Sequence, residues 1–224
     1  MRSFVRDNSL SLFFGLIFLA ALVGQSLTGM AEFNQQQLAD SMATVSYAQY
    51  LTSSDFAVDV AENWQSEYLQ FLLYILATVW LVQRGSVESK KPEETGTESD
   101  KDQQVGAYAP ADAPRSAWSG GFRTAVFSSS LGLVMGAIFF ASWLAQSLAG
   151  VASYNQQQLT QREDPVSWLS YVVTPEFWNR TLQNWQSEFL AVGSMAVFSV
   201  YLRQRGSPES KPVGAPHAAT GVEG

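Results

Sequence analysis

The segment QSLTGMAEFNQQQL at residues 25–38 recurs as QSLAGVASYNQQQL at residues 146–159, and this recurrence decides the fold. Ten of the 14 positions are identical, and the two segments are offset by 121 residues. Self-similarity at a fixed offset is the signature of a repeated structural unit. The sequence therefore indicates a chain that was built by duplication.

Two further pairs of segments keep the same offset, and no gap is needed between them. NWQSEYL at 63–69 matches NWQSEFL at 184–190, and QRGSVESK at 83–90 matches QRGSPESK at 204–211. Because all three matches share one offset, each copy has kept the length of its internal connections.

Each copy contains two apolar stretches without charged residues. The four stretches are 8–31, 68–83, 124–161 and 189–202. A helix needs about 20 apolar residues to cross the hydrocarbon core of a bilayer. The first and third stretches meet this requirement, and the second and fourth do so only if Trp64 and Trp185 are included. We therefore predict an all-α integral membrane protein with four transmembrane helices, arranged as two two-helix repeats.

The distribution of basic residues predicts on which side of the membrane the termini lie. Eleven of the 13 Lys and Arg residues fall on one predicted side of the membrane, and only Arg162 and Arg180 fall on the other. Basic residues near span ends are retained on the cytoplasmic side. Both termini are therefore predicted to be cytoplasmic, in the inner membrane of a bacterium, with two external loops. Since each copy begins inside, the repeats are predicted to be parallel.

The first stretch also has the features of a secretory signal, because Arg2 and Arg6 precede a short apolar run. Its counterpart in the second copy, residues 130–148, is internal and cannot be a cleaved signal. The first span is therefore predicted to be retained.

The copies are joined by a segment rich in Pro, Glu and Asp. Such a composition cannot bury enough apolar surface to offset its ordering entropy, which predicts disorder. We assign residues 1–85 to the first membrane repeat, 86–121 to a disordered cytoplasmic linker, 122–206 to the second repeat and 207–224 to a disordered tail.

Composition excludes several classes of function. The net charge of -7 and the pI near 4.7 argue against nucleic acid as a partner. The chain has no cysteine, so it has no disulfide and no thiolate chemistry. The single histidine, His217, lies in a Gly/Pro/Ala-rich tail and is interpreted as a solvated residue. No catalytic, cofactor-binding or metal-binding residue is predicted, and no cofactor is expected.

Helix boundaries can be predicted for the second helix of each copy. Thr174-Pro175-Glu176 is typical of a helix start, with a hydroxyl cap, a proline and an acid at the positive end of the dipole. Ser53-Ser54-Asp55 occupies the equivalent place in the first copy. The helix is predicted to continue from Ser54 to Gln83, where Gly85 offers a left-handed end. Gly206 has the same role in the second copy.

NWQSE gives the most suggestive polar residues. Asn63 and Glu67 are four residues apart on one helix face, and so are Asn184 and Glu188. The two carboxylates are predicted to lie about one turn inside the membrane boundary. An ionisable residue at that depth is a hypothesis of function, although anchoring of the external loops is the alternative.

Asn34 and Asn155 begin the two NQQQL segments, which are predicted to lie just outside the first helix of each copy. Their amides both donate and accept hydrogen bonds, so they can tie a loop or bind a solute. Ser11 and Gly15, and equivalently Gly132 and Gly136, place small residues four apart. This spacing predicts close helix contact within the chain or between chains, unless it reflects ordinary membrane-helix composition.

These motifs resemble those of an uncharacterised bacterial membrane-protein family, known as a domain of unknown function. The resemblance rests on Glu62–Gln70 (ENWQSEYLQ) and Gln83–Ser86 (QRGS), and it covers roughly residues 10–90 and 125–211. Members often carry His-Gly shortly after the Asn/Gln cluster, where this chain has Asp40-Ser41 and Gln161-Arg162. The resemblance implies membrane architecture and supplies no activity.

Two hypotheses of function follow. The first is a non-enzymatic membrane protein that scaffolds, in a homo-oligomer or with a membrane-protein partner. The alternative is a small ion or proton channel or transporter with a path between the repeats near Glu67 and Glu188. An enzyme is not expected, because the membrane region offers no nucleophile–base pair.

Overall fold

A computed structural model describes residues 2–223, and in this range the chain is helical without β-strands. The first copy contains α1 (Arg2–Asp7), α2 (Ser9–Ala39), α3 (Tyr47–Leu51) and α4 (Ser54–Trp80). The second copy contains α6 (Gly121–Ser128), α7 (Ser130–Thr160), α8 (Trp168–Tyr171) and α9 (Pro175–Tyr201). Between them lie two 3-10 turns, Pro92–Glu94 and Gly106–Tyr108, and the short helix α5 (Arg115–Trp118).

Within residues 2–223, two helices are long and apolar enough to cross a membrane. They are α2, with mean hydropathy 2.1, and α7, with mean hydropathy 1.7. Both contain 31 residues and include the NQQQL segments at 34–38 and 155–159. The prediction that the NQQQL segments lie outside these helices is therefore wrong. Neither Gly nor Pro interrupts residues 30–39, so nothing in the sequence stops the backbone from remaining helical.

The starts of α4 and α9 agree with prediction, and their ends do not. The backbone N–H of Phe177 donates to Thr174 Oγ1 at 3.3 Å, and that of Phe56 donates to Ser53 Oγ at 3.2 Å. Both residues therefore act as side-chain caps. However, α4 ends at Trp80 and α9 at Tyr201, before the predicted ends.

The chain divides into two compact units. The first contains residues 1–61 and 145–177, and the second contains residues 62–144 and 178–224. Each unit therefore takes chain from both copies. The helices α4, α7 and α9 each contribute to both units.

In the first unit, each of two buried tyrosines from short helices packs against a glycine of a long helix. Tyr50 of α3 packs against Gly29, and Tyr171 of α8 packs against Gly150, so that an added Cβ would collide with either hydroxyl. Tyr50 and Tyr171 are 3% and 1% exposed. Residues 121 apart thus make equivalent contacts, and glycine is required because it alone leaves room for the ring.

This packing predicts opposite effects for two glycine substitutions in long helices. Gly150→Ala is expected to destabilise the protein by about 1–3 kcal/mol, because the buried Tyr171 ring must move. Gly24→Ala is the matched control, because nothing lies within 4 Å of its added Cβ. It is expected to stabilise by about 0.5–1 kcal/mol through helix propensity. Thermal unfolding in detergent measures both, and shifts of the same sign would contradict this account.

Asn34 and Asn155 hold the chain that returns after each long helix. The Asn34 amide accepts from the Val45 N–H at 2.7 Å and donates to the Val45 carbonyl at 3.1 Å. Asn155 makes the same two bonds to Val166, at 2.8 and 2.9 Å. One side chain thus satisfies both backbone groups of one loop residue. The two asparagines therefore have a visible structural role, which is to tie the loop to the helix.

In the second unit, the small residues of α7 pack on α4. An added Cβ at Gly132 would lie 3.7 Å from Leu76, and one at Gly136 would lie 3.7 Å from Leu72. The equivalent Gly15 of α2, in the first unit, has nothing within 4 Å. The predicted helix contact is thus present within the chain for the second copy, whereas the Gly15 position is open.

The segment 86–121 has little regular structure, but it makes defined contacts. The Gly96 N–H donates to the Val79 carbonyl at 2.8 Å, near the end of α4. Lys90 Nζ donates to the Gly96 carbonyl at 2.9 Å and pairs with Glu98 at 2.6 Å. These bonds satisfy groups that a helix end and a turn leave open. The disorder predicted from composition stays a prediction.

Candidate functional site

The two NWQSE segments lie on α4 and α9, within the second unit. Glu67 is exposed and Glu188 is half-buried, and the Glu188 carboxylate lies within electrostatic range of Glu67. Asn184 is half-buried and donates to the Arg180 carbonyl at 3.0 Å, one turn earlier, while Asn63 is exposed. The structure therefore brings the two predicted carboxylates near each other, but it does not enclose Glu67.

A partly buried polar cluster is formed by residues within and just before the two NWQSE segments, and the sequence did not predict it. Arg180 Nε donates to Glu62 Oε2 at 2.7 Å. Trp185 Nε1 donates to Gln65 Oε1 at 2.8 Å, and Gln65 is completely buried. We call Glu62, Gln65, Arg180 and Trp185 the polar–aromatic cluster.

Aromatic rings and small polar residues surround the cluster. The Trp143 ring lies 6.2 Å from the rings of both Trp178 and Trp185. Ser66 and Thr181 are 1% and 0% exposed. Charge interactions are stronger in such an environment than in water, because the effective dielectric constant is lower. The ion pair thus fixes α9 against α4 at a defined register.

One polar atom of the Gln65 side chain lacks a hydrogen-bond partner within the described part of the chain. Its Nε2 has no hydrogen-bond partner among residues 2–223, although the side chain is buried. A buried amide N–H without a partner costs about 1–3 kcal/mol unless water or a ligand accepts from it. The cluster therefore combines a fixed ion pair, a tryptophan and an available donor. This arrangement can hold a small polar molecule.

The cluster differs between the two copies. Residue 59 is Asp where residue 180 is Arg, and residue 62 is Glu where residue 183 is Gln. Gln65 is buried and its equivalent Gln186 is exposed. The available signal in the sequence was Arg180, one of only two basic residues in the predicted external part of the chain. A lone arginine beside a span needs an acidic partner, but one sequence does not show which acid supplies it.

The QRGSxESK segments end the second helix of each copy in the same way. Gly85 and Gly206 have φ of 88° and 80°, the left-handed conformation that favours glycine. The Gln83 N–H donates to Ser89 Oγ at 2.8 Å, and the Gln204 N–H donates to Ser210 Oγ at 2.8 Å. Each serine therefore satisfies a backbone group just past the helix end.

The carboxyl-terminal tail binds the first of these segments. Lys211 is 1% exposed and its Nζ donates to the carbonyls of Gly85 at 2.6 Å and His217 at 2.8 Å. The Gly85 N–H donates to Thr220 Oγ1 at 2.8 Å. His217, interpreted from the sequence as solvated, is exposed but has Nδ1 3.1 Å from the Val200 carbonyl. The tail therefore has a docked conformation, and its predicted disorder stays a prediction.

Two equivalent acids meet at this end of the second unit. Glu88 and Glu209 occupy the same place in QRGSxESK, and their side chains share a hydrogen bond. Tyr74 Oη also donates to Glu88. The bond to Glu209, followed by burial and the charge of Glu209, raises the pKa of Glu88 to about 7. Two carboxyl groups form such a bond only when one of them carries a proton.

This pair predicts a pH dependence of stability. Since the pKa of Glu88 is raised to about 7 from an ordinary 4.5, the folded state holds a proton more tightly than the unfolded state does. The stabilisation is complete below pH 4.5, decreases as pH rises and is lost above pH 7. We expect a loss on the order of 1 kcal/mol, because solvent screens these partly exposed groups.

Thermal unfolding at a series of pH values measures the effect. Glu88→Gln should remove the dependence between pH 4.5 and 7. Glu93→Gln, at an exposed carboxylate of the linker, is the control and should retain it. A pH profile of Glu88→Gln that matches the wild type would show that the pair does not hold a proton.

The fold and this cluster define a class, an all-helical protein with two candidate membrane-spanning helices and a polar–aromatic cluster between helices of its second unit. Residues 1–222 match the family described as Domain of unknown function (DUF6766), and the chain belongs to that family. No curated protein and no solved structure matches the chain.

Proposed function

We propose that the chain is a non-enzymatic integral membrane protein that scaffolds through self-association. In this proposal α2, α4, α7 and α9 all cross the membrane, as two parallel repeats, with both termini in the cytoplasm of a bacterium. The 27 residues of α4 and of α9 support it, because such helices are about 40 Å long. Lipid bilayer and a second copy are the partners.

The exposed surface of α2 carries the proposal. Only 6% of its most apolar window is buried in the protein, against 22% for α7. Leu10, Leu16 and Leu19 are 71%, 68% and 55% exposed. A surface of this kind is stable in lipid or against another membrane helix.

The position of Gly15 favours a second helix over lipid alone. Small residues permit close backbone approach, which drives helix association in membranes. Leu72 of α4 already packs against Gly136 of α7, the equivalent of Gly15, whereas Gly15 is open. The equivalent helix face therefore packs against another helix in the second copy, and it is uncovered in the first.

Cysteine cross-linking tests the self-association, because the chain contains no native cysteine. In native membranes, oxidation should convert Gly15→Cys into a disulfide-linked dimer. Gly136→Cys is the matched control and should remain monomeric, because Leu72 covers that position. Equal cross-linking of the two variants, or none above background for Gly15→Cys, would rule out the α2 interface.

Cysteine labelling with a membrane-impermeant maleimide tests the topology. Cysteine introduced at Asp40 or Asp164 should be labelled in intact cells, and cysteine at Asp100 should be labelled only after the membrane is opened. Labelling of Asp100→Cys in intact cells would contradict four spans with cytoplasmic termini.

A second candidate function is an ion or proton path. The observation that favours it is the proximity of Glu67 and Glu188 on α4 and α9. Reconstituted vesicles should then show a pH- or voltage-driven flux that Glu67→Gln or Glu188→Gln abolishes, while both variants fold normally. The scaffold proposal expects no wild-type flux, so a robust flux lost in either variant would replace it.

A further inference from the structure

A cavity of about 960 Å³ lies entirely within the second unit, where α4, the linker and the start of α7 meet. Its volume is in the range of ligand-binding pockets, which is about 300–1,000 Å³. One wall is apolar and is formed by Ile75, Leu76, Val79 and Leu131. Trp80 stands at the end of this wall and is 63% exposed.

The polar residues of the lining come mainly from the linker. Lys90, Glu98 and Asp100 line the cavity, together with Thr124 and Ser128 of α6. The side chains of Lys90 and Glu98 are 28% and 30% exposed, so both keep contact with solvent. The cavity therefore has an amphipathic lining, which combines hydrocarbon-like residues with charged ones.

The charges of the lining residues determine which kind of headgroup can bind in the cavity. One lysine and two acidic residues line the cavity, which gives a formal net charge of about −1. The hydrogen bond from Lys90 holds the pKa of Glu98 below its ordinary value, so Glu98 remains ionised at neutral pH. A purely anionic headgroup is repelled by this set. A headgroup with a phosphate and a primary ammonium matches it, because each of its charges finds an opposite one.

The helix beside the cavity supports the placement of the phosphate. Gly120 and Gly121, at the amino end of α6, also line the cavity. The positive end of a helix dipole favours an anion, and here it adds to the charge of Lys90. Trp80 is suited to the headgroup level, since tryptophan is enriched at membrane interfaces.

We propose that this cavity is a specific site for a zwitterionic phospholipid with a phosphoethanolamine headgroup. The phosphate lies by Lys90 and the amino end of α6, the ammonium lies by Glu98 and Asp100, and the acyl chains follow the apolar wall of α4 and α7. The site rests on the proposed membrane topology, which places this end of α4 at the cytoplasmic boundary of the bilayer.

Native mass spectrometry of the full chain in mild detergent tests the site. Delipidated protein is titrated with phosphatidylethanolamine or with phosphatidylglycerol of the same acyl chains. We expect phosphatidylethanolamine to bind about tenfold more tightly, the order of effect of one charge-assisted hydrogen bond at a partly exposed site. Equal binding of the two lipids, or no retained adduct, would overturn the proposal.

Substitutions of the charged residues show which of them are responsible for the lipid preference. Asp100→Asn should reduce the preference, and Glu98→Gln with Asp100→Asn should reverse it, because Lys90 then faces no carboxylate. Asp112→Asn, at an exposed carboxylate outside the cavity, is the control and should bind as the wild type does. Ala125→Trp, which fills the cavity, should abolish the adduct. A preference that survives the double variant would show that another surface binds the lipid.

The experiments distinguish a failure of the proposed lipid site from a failure of the proposed membrane topology. If the protein is recovered from cells without detergent, the membrane proposal itself fails. If it requires detergent but binds both lipids equally, only the headgroup site fails.

Discussion

Lys211→Met is expected to release the carboxyl-terminal tail from the end of α4. The Lys211 ammonium is buried and donates to the carbonyls of Gly85, Pro216, His217 and Ala219, at 2.6 to 3.3 Å. Methionine has a similar shape but no donor, so the Gly85 carbonyl would stay buried without its partner, and the three partly buried tail carbonyls would lose theirs. We expect the docked conformation to lose about 2–4 kcal/mol, because a buried carbonyl without a donor is costly and three further bonds to a charged donor are lost.

Hydrogen exchange measures this loss at individual amides. The Gly85 N–H bonds to Thr220 and the Gly221 N–H bonds to the Ser86 carbonyl at 3.0 Å, so both report on docking. Their exchange should become about 30- to 1,000-fold faster in Lys211→Met, by the conversion of free energy into an opening constant. Far-ultraviolet circular dichroism should not change, since the long helices do not depend on the tail.

The equivalent lysine of the first copy provides a matched comparison. Lys90 pairs with Glu98 and donates to Gly96, all within the linker. Lys90→Met should therefore increase exchange at Gly96 and leave Gly85 and Gly221 as in the wild type. If Lys211→Met leaves both tail amides protected, the buried ammonium does not hold the tail.

Local signals in the sequence predicted the helix starts and the conformation of the turns after the helices. Thr174 caps α9, Ser53 caps α4, and Gly85 and Gly206 are left-handed. These features depend on neighbouring residues alone, so a single sequence contains them. The helix ends were placed too late because Leu81 and Leu202 favour helix by composition. In the structure Ser89 and Ser210 instead satisfy the backbone of the turn.

Contacts between distant residues were not predictable in the same way. Glu62 and Arg180 are 118 residues apart, and Gln65 and Trp185 are 120 apart. The repeat predicts that equivalent residues behave alike, and it therefore indicates Glu67 and Glu188 as the candidate pair. In the structure the two copies use different faces, so that Gln65 is buried and Gln186 is exposed. Which face is buried depends on the packing of helices, and the repeat alone does not specify it.

Breaking the ion pair of the polar–aromatic cluster is the second large effect expected. Glu62→Gln removes the carboxylate that Arg180 Nε contacts at 2.7 Å, and it leaves the guanidinium beside a neutral amide. Only 16% of the Glu62 side chain and 32% of the Arg180 side chain are exposed. We expect a loss of about 2–4 kcal/mol, somewhat less than for a fully buried pair. Glu67→Gln, on the exposed side of α4, is the control and should cost less than about 1 kcal/mol.

A double-mutant cycle separates the pair from its surroundings. Denaturant unfolding in detergent measures the free energy of unfolding of Glu62→Gln, Arg180→Gln and the double variant. The loss of unfolding free energy in the double variant should be about 1–3 kcal/mol smaller than the sum of the losses in the two single variants. Additive effects would show that the two charges do not interact. Replacement of both residues by apolar ones, Glu62→Leu with Arg180→Met, should recover most of the stability, because a desolvated ion pair is seldom more stable than packed side chains. If that variant is stable and still cross-links through Gly15→Cys, the pair fixes helix register. If it is stable but loses a wild-type flux, the cluster lies on an ion path.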